Sequence, residues 1–423
     1  MKTGQKTIVI GNGIAGYTAC CGIKEADPEV AVTLISEEKF PLYSPPALAN
    51  FVGGEIPRSR MFLKRLKDYK DLKIVTRFGQ KVDGIDLEKR LVYTGAAQLD
   101  FDTLVVATGS RATVPPIEGI HLPGVFTFKT MADADNIIKY GPKTAVVAGA
   151  GPMGIEAAMA LKKRGARVIL VATRWALPRV LDEKAGRLVQ EIMERNGVEF
   201  ITWDRVKSVE GSGKVERVVT EKNIIACDTL IMAAGVKPEV ELAREAGIKL
   251  GNLGGITVDA TMSTGIDGVY ACGDCIESHD TMSGEQALNL LWINSRQQGY
   301  IAGLNTRGAD KKYTGSINIR VLNIFGVSVS SFGVTADTSK NRGVEIVEKS
   351  EGDNYYRLLL SKGQLLGGQW VGRVRDTGVM ISLMRKHASL DDMAGMIEQR
   401  KMPYAVPLWF KAGQYASQHF SKM

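Results

Sequence analysis

Residues 6 to 16, Lys6-Thr-Ile-Val-Ile-Gly11-Asn-Gly13-Ile14-Ala15-Gly16, decide the fold. The apolar, β-branched run from Lys6 to Ile10 reads as a strand, and YTACCGIKEA after Gly16 has helical character. Between them glycine recurs as G-x-G-x-x-G, and each glycine has a task. Gly11 permits a tight turn, Gly13 lets backbone approach a pyrophosphate, and Gly16 allows close helix–strand contact. The phosphates then sit on the positive end of the new helix, over Ile14 and Ala15. A second strand, AVTLI, runs into Ser36-Glu37-Glu38, where a carboxylate is expected to bind an adenosine ribose. Glu37 is the candidate; the alternative is an ordinary surface acid.

The device recurs. TAVVA is followed by Gly149, Gly151, Pro152, Met153 and Gly154, then by the helical IEAAMALKKRG and the strand RVILV. One glycine fingerprint is weak support, but two complete β–α–β units imply two dinucleotides on one chain. The chemistry natural to such a pair is hydride passage from a nicotinamide to a flavin. The expected fold class is α/β, with two Rossmann-like dinucleotide-binding domains and a C-terminal α+β domain.

Composition sets the bounds. With 423 residues the chain exceeds one simple core. Hydrophobic residues at 44% and charged ones at 24% fit a soluble globular protein. MKTGQK runs straight into the first strand, and no apolar run reaches membrane-spanning length, so no membrane role and a cytoplasmic location are expected. The net charge of +8 comes from scattered Lys and Arg without basic–aromatic runs, which argues against nucleic acid. It reads as a solvated surface or as a face suited to an acidic protein partner. Five cysteines supply neither a disulfide framework nor iron–sulfur spacing, and no metal is expected.

Several further motifs resemble the FAD-dependent pyridine-nucleotide oxidoreductases of the ferredoxin- and rubredoxin-reductase type. TLVVATGSRA (103–112) is similar to the segment leaving the FAD domain, with Thr108 and Gly109 expected at FAD. TLIMAAGVKPE (229–239) looks like the exit from the NAD domain, with Gly235 at the dinucleotide. GGITVDATMSTGIDGVYACGD (254–274) resembles the second FAD segment, whose final Asp274 binds the ribityl chain. WINSRQQG (292–299) resembles the segment that sets Trp292 beside the isoalloxazine. The resemblance implies FAD over residues 1–112 and 246–312, NAD(P) over 113–245, and an interface domain over 313–423.

Within VYACGDCIES (269–278), Cys272 and Cys275 form a C-x-x-C. Asp274 is the important residue there, and both cysteines read as structural, although Cys275 at a helix start would be acidified. Disulfide reductases of the wider family carry a cysteine pair after the ribose-binding strand, and their oxygen- or coenzyme A disulfide-reducing relatives keep one. EEKFPLYSPPALAN (37–50) has none, so no redox-active disulfide is expected. PLYSPPALAN resembles the flavin-lining segment of ferredoxin reductases and places Tyr43 near the flavin. It departs from that segment at Pro45 and Asn50, where Arg and Lys are usual. The missing Lys leaves Glu156 either at the nicotinamide or paired with Lys162 or Lys163.

After RVILV the expected ribose-binding acid is replaced by Ala172, followed by Thr173 and Arg174. Loss of the acid beside an Arg suits a 2′-phosphate, while a single Arg can also stack on adenine. The family context favours NAD(H), with NADP(H) left open. The resemblance implies FAD-mediated electron transfer between NAD(H) and an iron–sulfur protein or subunit, in a hetero-oligomeric complex. Within the family, the chain most resembles flavin subunits of 2-oxoacid oxidoreductases of the phenylglyoxylate dehydrogenase type. The alternatives are a free-standing rubredoxin or ferredoxin reductase and a flavin-bearing redox-sensing interaction protein. The tail from Arg400 to Phe420, with Trp409, Phe410, Tyr415 and Phe420, reads as core packing or as a docking segment.

Overall fold

The computed structural model describes residues 5–95, 97–335, 344–372 and 377–387. The tail from Arg400 to Phe420 lies outside them. Three layered units follow, and the first two are built alike.

In the first unit five parallel strands lie in the order Val269–Ala271, Thr103–Val106, Lys6–Ile10, Ala31–Ser36 and Ile74–Phe78. All four residues of Thr103–Val106 are buried, as in a parallel sheet covered on both faces. One cover is a helix pair, Ile14–Ala26 against Trp292–Asn305. Small residues bring these backbones together: a methyl on Gly299 would lie 2.1 Å from the Ala15 carbonyl oxygen, and one on Gly303 as close to that of Ala19.

The second unit repeats the plan with parallel strands Val198–Thr202, Arg167–Ala172, Thr144–Ala148, Thr229–Met232 and Val125–Thr127. The chain crosses between the two units on an antiparallel pair, Ser110–Ala112 with Val236–Pro238. This corrects the expected boundary at 245. Helix Glu241–Glu245 belongs with the first unit, because Val240, Ala243 and Ile248 pack into its core.

The third unit is an antiparallel sheet ordered Ile319–Ile324, Val327–Gly333, Gln364–Gly372, Asn354–Ser361 and Glu345–Glu351, with helix Thr377–Arg385 against it. Its boundary interleaves: Tyr313 joins the first core, and Met282, earlier in sequence, joins the third. One apolar cluster runs through all three units, from Tyr43, Leu48 and Phe51 through Ile155 and Leu161 to Ile324 and Val371. Among the described residues no helix is long and apolar enough to cross a membrane.

Candidate functional site

Both glycine turns divide their labour in the same way. Gly11 has φ +107°, and a methyl there would lie 2.1 Å from the Ala107 carbonyl oxygen. A methyl on Gly16 would lie 1.8 Å from the Gly11 carbonyl oxygen, so the helix starts against the strand. Gly13, by contrast, faces open space, with nothing within 4 Å. That opening, at the N-terminus of the 13-residue helix Ile14–Ala26, fits a pyrophosphate. The second turn copies it: Gly149 meets Ala233, Gly154 meets Gly149, and Gly151 is open before Pro152 and Met153.

The first turn is held from behind. Asn12 Nδ2 donates to the Phe40 carbonyl, and Tyr69 Oη donates to Asn12 Oδ1. At the end of Ala31–Ser36, Glu37 is exposed while Glu38 is half-buried and accepts from Tyr43 Oη at 3.0 Å. Burial raises the Glu38 pKa. Tyr43 is buried, and its hydroxyl also accepts from the Met131 amide across the two units, so its role here is to join them.

Asp274 lies where the two segments of the first unit converge. Its carboxylate accepts from Ser110 Oγ at 2.8 Å and from Ser295 Oγ at 3.0 Å. Two donors leave acceptor capacity on a carboxylate for ligand hydroxyls. Gly273 is fixed by its amide bond to Gln298 Oε1, on the helix that begins at Trp292. Trp292 itself is partly exposed. Thr108 Oγ1 donates to the Glu239 carbonyl at 2.6 Å, and the Glu239 amide donates to Gly109, so this turn is locked to the crossing strands. The Thr113 amide likewise donates to the Gly235 carbonyl.

Three residues near this site escape sequence reasoning. Ser110 and Ser295 stand inside recognised motifs, but only the fold turns them onto one carboxylate. Arg320 comes from the third unit. Its guanidinium makes no hydrogen bond or ion pair with the described residues, and burial lowers its pKa while the Asp274 charge offsets part of that. No local sequence signal marks it.

Glu156 lies one turn into helix Pro152–Lys163, and burial raises its carboxyl pKa to about 7. Neither suggested lysine partner reaches it. Lys163 Nζ pairs with Glu55 at 2.5 Å, Asn50 Nδ2 also donates to Glu55, and the Lys162 ammonium lies beside Gly197. Glu156 is therefore left without a cation among the described residues.

The cysteines offer no redox pair. Cys272 and Cys275 are free and fully buried, and burial raises both pKa values. Cys275 lies in a turn, which corrects the expected helix start, and its Sγ approaches the carbonyls of Val106 and Cys272. Burial likewise raises Cys20, Cys21 and, to about 11, Cys227.

The family model of the pyridine nucleotide-disulphide oxidoreductases matches residues 5–299. An NADH oxidase of Methanocaldococcus jannaschii is 33% identical over 357 residues, covering 81% of this chain and 79% of that protein. An assimilatory nitrate reductase electron transfer subunit of Bacillus subtilis is 29% identical over 91% of this chain, which spans 50% of that protein's length. The solved structure of an NAD-dependent persulfide reductase from A. fulgidus superposes with a TM-score of 0.86 at 28% identity, covering 92% of this chain and 79% of that one. The cofactors are FAD and NAD(H). The chain belongs to the pyridine nucleotide-disulphide oxidoreductase family and is an FAD-dependent NAD(P)H oxidoreductase.

Proposed function

We propose that this chain passes electrons from reduced nicotinamide through FAD to an iron–sulfur protein or subunit. The carrying observation is the absence of a thiol from residues 37–50, together with burial of the C-x-x-C pair. Without a thiol relay, electrons leave the flavin edge directly. FAD, when bound, supplies the conversion from a hydride pair to single electrons. The residues proposed to hold it are Gly11, Gly13, Ile14, Ala15, Gly16, Glu37, Thr108, Gly109, Asp274 and Trp292. Those proposed for the nicotinamide dinucleotide are Gly149, Gly151, Pro152, Met153, Gly154, Arg174 and Gly235, with Glu156 at the junction. The half-length match to an electron transfer subunit supports this reading. None of the relatives described above is a 2-oxoacid oxidoreductase subunit, so the partner is proposed by chemistry alone.

A second reading is direct reduction of oxygen or a sulfur species, favoured by the names of the M. jannaschii and A. fulgidus relatives. Stopped-flow assays separate the two. The proposal expects fast reduction of an acidic ferredoxin, slowing as salt screens the +8 chain beyond about 8 Å, and slow reduction of oxygen and persulfide. Fast oxygen or persulfide turnover with a salt-independent ferredoxin rate would favour the second.

A further inference from the structure

We infer that Arg320 tunes the flavin: its guanidinium meets N1 and the C2 carbonyl oxygen, the edge of the isoalloxazine that gains negative charge on reduction, and so raises the potential of bound FAD. The inference rests on reading Asp274 as the acceptor for the ribityl chain.

Arg320 lies on the edge strand Ile319–Ile324 of the third unit, opposite the buried Ser331 of the neighbouring strand. Side chains alternate along a strand, so Arg320, Leu322 and Ile324 share one face. Leu322 and Ile324 pack into the apolar cluster with Tyr43 and Leu48 of the first unit and Ile155 of the second. Val321 and Asn323, on the other face, are exposed. Arg320 is therefore a half-buried cation on the inward face, on a strand that lies against helix Pro152–Lys163.

Among the described residues nothing accepts a hydrogen bond from this guanidinium, so its five N–H donors are uncommitted. Asp274 is the carboxylate whose charge acts on it, and Asp274 already accepts from Ser110 Oγ and Ser295 Oγ. A guanidinium drawn out of water without an acceptor is costly, which points to an acceptor that arrives with the ligand. The chemistry of FAD supplies one. Its ribityl chain is attached at N10, and N1, with the C2 carbonyl next to it, stands beside that attachment. Hydride from reduced nicotinamide adds at N5, leaves the nicotinamide as its cation, and gives the ring one net negative charge spread over N1 and the C2 oxygen. A fixed cation at that edge favours the charged reduced form over the neutral oxidised one, and a planar fork suits two adjacent acceptors.

Midpoint potentials of the FAD-loaded protein and its Arg320 variants, read by equilibration with a reference dye, test this. Arg320→Met should lower the potential by at least about 30 mV, a tenfold shift of the two-electron equilibrium toward oxidised FAD. Arg320→Lys, which keeps the charge and loses the fork, should fall between the two. FAD content and melting temperature are measured alongside, and Arg320→Gln takes the place of Arg320→Met if the latter does not fold with FAD. An unchanged potential in the neutral variant, or an equal drop in the neutral and Lys variants, overturns the inference while leaving the Asp274 reading standing. A natural chain that retains no FAD after reconstitution removes the Asp274 reading and the inference together.

Discussion

Asp274 and Glu156 show how one functional group, the carboxyl, meets two environments in one molecule. Asp274 is hydrogen-bonded by two serines, whereas Glu156 is buried without a cation among the described residues. Replacing Asp274 by Ala should weaken FAD by about 1.5–3 kcal/mol, the worth of a charge-assisted hydrogen bond. Flavin retention after dialysis measures this, and unchanged retention would count against the role. Glu156 bears on pH. Its carboxyl goes from an ordinary 4.5 to about 7 on folding, so the native state holds a proton that the unfolded chain has released. The associated stability is fully present below pH 4.5, declines as pH rises, and is lost above about 7. The decline is at most about 3.4 kcal/mol. Glu156→Gln should therefore flatten the fall in melting temperature between pH 5 and 8; parallel profiles would mean that Glu156 ionises normally.

Glycines that look interchangeable in sequence separate at the scale of the element. Gly13 faces open space, and Gly299 lies against the Ala15 carbonyl. Gly13→Ala should leave the melting temperature of the FAD-free protein nearly unchanged yet reduce FAD affinity, because the added methyl occupies the pyrophosphate approach. Gly299→Ala should destabilise the fold by about 2–3 kcal/mol, because two helices must separate. Chemical denaturation of both variants, alongside FAD titration, checks the contrast. Equal loss of stability in the two would refute the division of labour. The G-x-G-x-x-G pattern was legible because its geometry is local, confined to one strand, one turn and one helix. The pairing of Ile14–Ala26 with Trp292–Asn305 had no such signature, since the two helices are joined only by the fold.

Across the whole molecule, Asp182 ties the second unit to the third. It accepts from Tyr355 Oη at 2.7 Å and from Arg357 at 2.8 Å, and its amide donates to Gln369. The pair is buried, with side-chain exposures of 18% for Arg357 and 7% for Asp182. Removing one partner leaves a buried charge uncompensated, so Asp182→Ala should cost about 3 kcal/mol. It should also split thermal unfolding into two transitions as the third unit releases first. A single transition at the original temperature would show that the apolar cluster alone holds the units together.

The chain by itself determined the two nucleotide-binding units and the lack of a thiol at residues 37–50. Each of these is written in short-range pattern, where backbone geometry dictates the residue type. Tertiary structure decided the rest. It moved helix Glu241–Glu245 into the first unit through its apolar face. It turned Ser110 and Ser295 onto Asp274, brought Arg320 from the third unit, and gave Lys163 to Glu55 instead of Glu156. Such pairings join residues far apart in the chain, and nothing in the local sequence around either partner encodes the other.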